Sequence, residues 1–168
     1  MVVVVIGVSG SGKTTVGKLI AEYLPGRFID ADDFHPQENI DKMSNGTPLT
    51  DVDRVPWLLS LREEINKHLQ DETHLIMACS ALKKGYREVL GRDDKRVKFI
   101  YLSGTYEDIL PRMEDRQGHY MKADMLQSQF EALEIPSKQE AEHYSVAIPA
   151  MDVAREVVQM ILDSERSL

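Results

Sequence analysis

Five short apolar segments occur along the chain, and longer stretches with helical spacing separate them. The segments are rich in Val, Ile, Leu and Phe and lie at 2–6, 27–29, 75–78, 97–102 and 145–148. Short apolar runs of this composition predict buried β-strands. Their alternation with helices indicates an α/β protein with a parallel sheet covered on both faces, in which ligands bind at the carboxyl ends of the strands.

Three of the helical stretches have clear boundaries or apolar faces. The first follows the first strand closely and ends at Pro25-Gly26. The second is predicted from about Asp53 to Leu69, with Thr50 or Asp51 as its cap. A C-terminal helix is predicted where apolar residues recur at 153, 157, 160 and 161. We expect the apolar faces of these helices to pack against the sheet.

The segment Gly7–Thr14 joins the first strand to the first helix and fits the pattern G-x-x-x-x-G-K-[ST]. Its glycines let consecutive backbone N–H groups face phosphate oxygens, and the positive end of the following helix reinforces that field. Lys13 is expected to neutralise the β- and γ-phosphates of ATP, and Thr14 to ligate Mg²⁺. A flexible Gly/Ser turn is the alternative, but the flanking strand and helix favour a phosphate-binding loop. The predicted nucleotide contacts in this region are Gly7, Ser9, Gly10, Ser11, Gly12, Lys13, Thr14 and Thr15.

Acidic residues follow the second strand, at Asp30, Asp32 and Asp33. In an extended segment alternate residues share a face, so Asp30 and Asp32 are expected to point into the cleft opposite the phosphate loop. Asp30 would then hold Mg²⁺ through water, and Asp32 would orient or deprotonate a substrate hydroxyl. A solvated acidic turn that caps the next helix is the alternative.

The polar stretch 45–57 is long for a connector, and long loops in compact domains often bind ligands. Arg54 offers a planar fork that suits a carboxylate. Asp51 and Asp53 would accept hydroxyl hydrogens or position that fork. Trp57 would form a wall of the pocket or anchor its own helix to the core.

The third strand ends without the Asp of a Walker-B strand, which increases the reliance on Asp30 or Asp32 as a metal ligand. Lys83 and Arg87 lie four residues apart at the start of a predicted helix. They would share a face and supply positive charge to an anionic substrate, or form a solvated helix surface. Cys79 is disfavoured as a nucleophile, because no activating His is evident nearby.

Basic residues cluster again after the fourth strand, from Arg112 to Lys122. Arg112 and Arg116 lie four apart on a predicted helix, and Gly118 follows as a stop or hinge. This segment predicts a lid, approximately 112–135, whose arginines close over the nucleotide phosphates and exclude water. Ion pairs on an ordinary exposed helix are the alternative.

Composition narrows the class of protein. A chain of 168 residues suits one domain, 1–168. The formal net charge of −8 argues against a nucleic-acid-binding surface, although a local basic pocket can still hold a small anion. The longest apolar run, Met1–Ile6, is too short to span a membrane and is not a convincing signal peptide, so we expect a cytoplasmic protein with no membrane partner. A single cysteine excludes an internal disulfide.

Taken together, these residues resemble the gluconokinases, which are relatives of shikimate kinase and the nucleoside monophosphate kinases. The phosphate loop alone identifies only a very large superfamily, and the more specific segments lie further along the chain. These are Asp30-Ala31-Asp32 with His35-Pro36, 39–43, 46–54 with Pro56-Trp57, 79–83, Tyr86-Arg87, 116–121 and Ser128-Gln129-Phe130 with Leu133-Glu134. Two departures are Ala31, where many relatives carry Gly, and 135–139, which lacks the usual acidic character.

The resemblance implies a three-layer P-loop kinase fold, with a central five-stranded parallel sheet flanked by helices and a helical lid. It implies ATP- and Mg²⁺-dependent phosphorylation of D-gluconate at its terminal hydroxyl, and a homodimer. By position, Lys13 and Thr14 match the nucleotide and metal residues, Asp32 matches the carboxylate beside the substrate hydroxyls, and the basic matches are Arg54 and Lys83 near the acid and Arg116 on the lid. Together with the charge pattern described above, this predicts Lys13, Asp32 and Arg116 as catalytic residues and Arg112 at the nucleotide. The substrate-binding residues would be Asp32, His35, Asp51, Arg54, Lys83, Arg87 and His119.

Other functions stay open at this stage. A related kinase would act on another sugar acid, a shikimate-like acceptor or a nucleoside monophosphate, and the last of these needs a base-recognition surface that the polar loop does not suggest. A nucleotide-dependent switch would use the same phosphate loop, but such proteins usually have a Walker-B Asp or a guanine-reading motif, and neither is evident.

Overall fold

A parallel sheet of five strands organises the chain in a computed structural model that describes residues 1–114 and 123–167. The strands are β1 (Val2–Ile6), β2 (Gly26–Asp30), β3 (His74–Ala78), β4 (Val97–Ser103) and β5 (Ala141–Ser145). Their order across the sheet is β2-β3-β1-β4-β5, and each neighbouring pair is parallel. The carboxyl ends of β1, β2 and β3 therefore lie side by side at one edge.

Helices cover both faces of this sheet. Within the described residues they are α1 (Lys13–Tyr23), α2 (Gln37–Ser44), α3 (Asp51–Gln70), α4 (Lys84–Leu90), α5 (Tyr106–Glu114), α6 (Ala123–Ala132) and α7 (Ala150–Arg166), with a short 3₁₀ helix at Ala31–Phe34. Successive β1 residues face opposite cores: Val2 and Val4 pack with α3, and Val3 and Val5 pack with α1 and α7. Every residue of β1 is consequently buried.

The predicted five-stranded parallel α/β architecture is confirmed, and the first four strands lie where the sequence predicts them. The fifth prediction is wrong, because β5 is Ala141–Ser145 and the chain turns from Val146 onward. β5 lies at the edge of the sheet and is partly exposed, so its sequence is polar. The nearby Val146 is buried although it lies outside the strand, and this explains the misplaced prediction.

The predicted lid is only partly described. Its first residues end α5, and its later residues form α6, where Leu126 is fully buried in the same core as α1. Residues 115–122, which include Arg116 and His119, lie outside the described part of the chain. Among the helices that are described, none is both long and apolar enough to cross a membrane.

A capping box starts α3, the helix that carries part of the predicted substrate site. Thr50 is the N-cap, and its hydroxyl accepts a hydrogen bond from the Asp53 N–H at 3.1 Å. The Asp53 carboxylate accepts one from the Thr50 N–H at 2.9 Å. Of the two caps predicted, Thr50 is therefore the one used.

Replacing Thr50 by Ala removes the acceptor for the Asp53 N–H, and we expect the free energy of unfolding to fall by about 1 kcal/mol. Thr50→Ser keeps the hydroxyl and is the matched control. Chemical denaturation measures both variants against the parent chain, and equal stability of the two would contradict the role of this hydroxyl.

Candidate active site

The segment 7–14 turns from β1 into α1. Gly10 and Gly12 have φ values of +79° and +97°, which residues with a side chain rarely adopt. A Cβ on Gly10 would lie 2.6 Å from Met113 Cγ, whereas nothing lies within 4 Å of a Cβ on Gly12. Gly12 precedes the first turn of α1, whose N–H groups have no carbonyl partner inside the helix. The loop therefore leaves open space beside Gly12, and the amino end of a helix favours a phosphate-bearing ligand.

Side-chain hydrogen bonds help to hold this loop in its observed form. Lys13 Nζ donates to the Val8 carbonyl at 2.9 Å. The Ser9 N–H donates to Gln129 Oε1 on α6 at 2.6 Å, across 120 residues of sequence. Sequence reasoning gave Gln129 no role, because a contact of this range leaves no local pattern.

The nucleotide residues predicted in the loop are not equivalent. Ser11 is 3% exposed, and its hydroxyl is buried against the position of Gly7, where an added Cβ would approach it to 2.8 Å. Any contribution of Ser11 to phosphate binding therefore comes from its backbone. Thr14 lines a cleft of about 490 Å³ together with Asp30, while Thr15 is exposed.

Asp30 and Asp32 do not alternate along an extended segment, so that prediction is wrong. Asp30 ends β2 and caps the 3₁₀ helix, where its Oδ1 accepts a hydrogen bond from the Asp32 N–H at 3.0 Å. The backbone here therefore matches the alternative considered for this segment, an acidic turn that caps a helix. The Asp32 carboxylate nevertheless lies close enough to interact with both Asp30 and Lys13.

The Asp32 carboxyl lies in an environment that disfavours its charge. Water reaches the residue, but the surrounding protein limits its hydration, and this partial burial raises the pKa of Asp32 above its usual range. The nearby Asp30 carboxylate raises the pKa further, whereas the Lys13 ammonium lowers it. Burial also raises the pKa of the adjacent Cys79 thiol to about 12, so this thiol is neutral and is not a nucleophile.

A second group of charged residues lies at the start of α3 and α4. Lys83 Nζ lies 3.1 Å from Asp51 Oδ1, and the Tyr86 hydroxyl also donates to Asp51. The Arg54 guanidinium lies 5.6 Å from the centre of the Tyr86 ring, and its Nη1 donates to the Leu49 carbonyl at 2.8 Å. The structure therefore brings the predicted Asp51, Arg54 and Lys83 together, and Tyr86 is the residue that joins them.

Tyr86 was not predicted as a site residue, although it lies in one of the gluconokinase-like segments. Its hydrogen bond is the main cause that lowers the pKa of Asp51, and Lys83 lowers it further. The pKa of Lys83 is raised in turn, chiefly by its hydrogen bond to Asp51. Asp51 and Lys83 are therefore both charged at neutral pH, and their side chains are exposed enough to rearrange around a ligand.

His35 stacks on Trp57, with ring centroids 4.4 Å apart and an interplanar angle of 13°. Trp57 is 3% exposed and donates its indole N–H to the Ala31 carbonyl at 2.7 Å, so it anchors α3 to the core. Burial and the charge of Arg54 lower the pKa of His35, which is neutral at pH 7. Asn39 Nδ2 lies 3.2 Å from His35 Nδ1 and donates to the Asp53 carbonyl. This pairing assigns the His35 proton to Nε2.

Arg87 does not face the substrate region, and its predicted role in substrate binding is wrong. The side chain is 1% exposed and lies 2.7 Å from the Glu140 carboxylate through Nε. Its Nη1 and Nη2 donate to the carbonyls of Ala81 and Glu134, both at 2.9 Å. The i, i+4 spacing from Lys83 misled the prediction because Lys83 is the N-cap of α4 rather than a helical residue.

Arg112 lies on α5 and is exposed, and its Nη2 donates to the carbonyl of Val146. Its contact with nucleotide stays a prediction. So do the roles of Arg116 and His119, which lie outside the described residues.

The parallel sheet, the loop before α1 and the carboxylate opposite it define a P-loop kinase. A family model described as shikimate kinase matches residues 9–164. The thermosensitive gluconokinase of Escherichia coli K12 is 50% identical over 138 residues, which are 82% of this chain and 73% of that protein.

Two solved structures are similar along nearly the whole chain. A gluconokinase from Sinorhizobium meliloti 1021 is 42% identical with a TM-score of 0.79, covering 94% of this chain and 89% of that one. An unliganded sugar kinase from Janibacter sp. HTCC2649 is 42% identical with a TM-score of 0.86, covering 94% and 92%. The chain belongs to the shikimate kinase family of phosphotransferases, and its relatives place it among the gluconokinases.

Changing Asp30 to Asn removes a negative charge beside Asp32 but keeps an oxygen that accepts the Asp32 N–H. Because the ionised form of Asp32 becomes less unfavourable, we expect its pKa to fall towards the usual value. Carboxyl ¹³C NMR titration measures the change. Asp33→Asn is the control and should lower the pKa by less, since Asp33 acts more weakly on this carboxyl. A pKa that stays the same or rises in the Asp30 variant contradicts the coupling.

Proposed function

We propose that this chain transfers the γ-phosphoryl group of ATP to the terminal hydroxyl of D-gluconate, giving 6-phospho-D-gluconate, in a Mg²⁺-dependent reaction. The observation that carries the proposal is the joint presence of a phosphate-binding loop, the Asp32 carboxylate beside Lys13, and a cationic cluster containing Arg54 and Lys83. Relatives called gluconokinases, at 36% to 50% identity, support gluconate as the acceptor.

On the donor side, the loop amides and the amino end of α1 hold the phosphates. Lys13 exchanges its contact with the Val8 carbonyl for the β- and γ-phosphates. The Thr14 hydroxyl and, through water, the Asp30 carboxylate are the groups that would hold Mg²⁺, since oxygen ligands suit this ion. When bound, Mg²⁺ neutralises charge on the phosphates. Arg112 and Arg116 are proposed to add positive charge there.

On the acceptor side, Asp32 accepts a hydrogen bond from the hydroxyl that receives the phosphoryl group. This bond aligns the oxygen with the γ-phosphorus, which is the main requirement of a loose phosphoryl-transfer transition state. The raised pKa of Asp32 makes it a stronger base than an ordinary aspartate for taking up the hydroxyl proton.

The acid end of the substrate binds at the second cluster. Arg54 offers a planar fork to the carboxylate, and Lys83 adds a point charge. Asp51 holds Lys83 in place and is free to accept a sugar hydroxyl with its remaining oxygen lone pairs. Neutral His35 donates a hydrogen bond through Nε2 to a hydroxyl group of gluconate, and His119 is a further proposed contact with the substrate.

We also propose that the chain forms a homodimer, as the resemblance implies, and that it lies in the cytoplasm. Light scattering of the purified chain measures its mass in solution.

A coupled assay of ADP release, run with gluconate, other aldonates, shikimate and nucleoside monophosphates, tests the acceptor. We expect gluconate to have the highest kcat/KM. Preference for any other acceptor would overturn the assignment to gluconate, and ADP release that needs no acceptor would favour a nucleotide-dependent switch.

Lys83→Ala removes one charge-assisted contact to the acid, so we expect the KM for gluconate to rise about tenfold or more, with the KM for ATP unchanged. Lys84→Ala is the matched control, because it deletes a neighbouring exposed ammonium of the same charge. A similar rise in both variants would mean that general charge, and not Lys83, attracts the acid.

Asp32→Asn keeps the shape of the side chain but removes the base and its charge. We expect kcat to fall by about 10²-fold or more, while the Kd for ATP changes little. Steady-state kinetics and calorimetric titration with a non-hydrolysable ATP analogue separate the two effects. Unchanged turnover would refute the role given to Asp32.

A further inference from the structure

The backbone just before Lys83 has an unusual conformation. Between β3 and α4, Ala81 has a φ of +40°, a left-handed conformation that is uncommon for a residue with a side chain. Such a backbone persists only where the surrounding structure holds it. Ala81 is 1% exposed, and Lys83 follows two residues later as the N-cap of α4.

Hydrogen bonds with Arg87 and Glu134 hold the backbone of residues 81–84. Arg87 Nη1 donates to the Ala81 carbonyl at 2.9 Å. The Glu134 N–H donates to the Leu82 carbonyl at 2.8 Å, and the Glu134 carboxylate accepts from the Lys84 N–H at 3.1 Å. The backbone before and after Lys83 is therefore fixed by a residue that lies some fifty positions further along the chain.

Glu134 supplies the cap that Lys83 itself does not. Lys83 has no side-chain hydrogen bond to the first turn of α4, and a lysine has no acceptor with which to make one. A carboxylate at this end of a helix also interacts favourably with the helix dipole. With Glu134 as the cap, a residue without an acceptor can occupy the N-cap position, and the Lys83 side chain extends from there to Asp51.

Arg87 connects Glu134 to the core of the protein. Its Nη2 donates to the Glu134 carbonyl, and its Nε pairs with Glu140, whose side chain is only 9% exposed. Burying such a pair costs desolvation energy, so it adds less to stability than its short distance suggests. A planar guanidinium with five donors is, however, well suited to fixing three separate acceptors in one geometry.

We propose that Glu134 and Arg87 are positioning residues that aim Lys83 at the acid group of the acceptor. This inference rests on the proposed function for the identity of the acceptor, but the placement of Lys83 beside Asp51 is measurable without it.

Glu134→Ala is the main test, because Glu134 is exposed and its removal leaves the core intact. We expect the KM for gluconate to rise about fivefold, with the KM for ATP and kcat within about twofold of the parent, as fits the loss of one hydrogen bond. Glu134→Gln keeps an oxygen for the Lys84 N–H and should remain close to the parent. Glu131→Ala removes a nearby exposed carboxylate of α6 and is the charge control.

Equal increases in both KM values, or no increase for gluconate, would overturn the proposal. A double variant, Lys83→Ala with Glu134→Ala, tests the route of the effect. If Glu134 acts through Lys83, the second substitution adds little to the gluconate KM of the first. Fully additive effects would contradict that route.

A readout without substrate separates this inference from the choice of acceptor. The contact with Asp51 raises the pKa of Lys83, so displacement of Lys83 in Glu134→Ala should lower that pKa towards its ordinary value. NMR titration of the lysine ¹³Cε signal measures it. If gluconate is not phosphorylated by the parent but the pKa of Lys83 falls in the variant, the proposed acceptor fails and the positioning role stands. An unchanged pKa overturns the positioning role whichever acceptor is used.

Discussion

The position of β1 in the middle of the sheet constrains the rest of the molecule. All five of its residues are buried, with neighbours on both sides and helices on both faces, so its carboxyl end has little freedom to move. The loop that follows inherits this rigidity: Gly7 N–H bonds to the Ser80 carbonyl beyond β3, and Gly10 lies against Met113 of α5. Catalysis of phosphoryl transfer depends on alignment within fractions of an ångström, and a rigid strand end provides a suitable base for it.

Charge is distributed unevenly over this frame. The chain carries a formal net charge of −8, yet Lys13 lies near the Asp32 carboxylate, and Lys83 and Arg54 lie near the Asp51 carboxylate. A protein that is acidic overall and locally basic repels large polyanions and still attracts a small anionic substrate. Both side chains of the Lys83–Asp51 pair are exposed to solvent, so the pair is weak enough to exchange partners.

Local pattern was enough to predict those features that depend on neighbours in sequence. The phosphate loop, the first four strands, the cap at Thr50 and the apolar face of α7 all follow from residues a few positions apart. Arg87 shows where this reasoning fails: its three partners lie at Ala81, Glu134 and Glu140, and only the tertiary fold reveals that the side chain is buried. β5 was misplaced for a related reason, since an edge strand needs few apolar residues while the turn beside it contains a buried valine. The 3₁₀ helix after Asp30 depends on the Asp30 carboxylate, which accepts a hydrogen bond from the Asp32 N–H. Such a local bond competes with the extended form that was assumed from periodicity.

The hydrogen bond between Ser9 and Gln129 places part of α6 in thermodynamic linkage with the phosphate loop. A ligand that competes for the Ser9 amide releases the glutamine, and a ligand that leaves this bond intact binds to a loop already ordered by α6. In the first case the binding free energy includes the loss of the α6 contact, and in the second the contact acts by ordering the loop before the ligand binds. Substitutions on α6 that never touch a nucleotide can therefore still alter how tightly one is held.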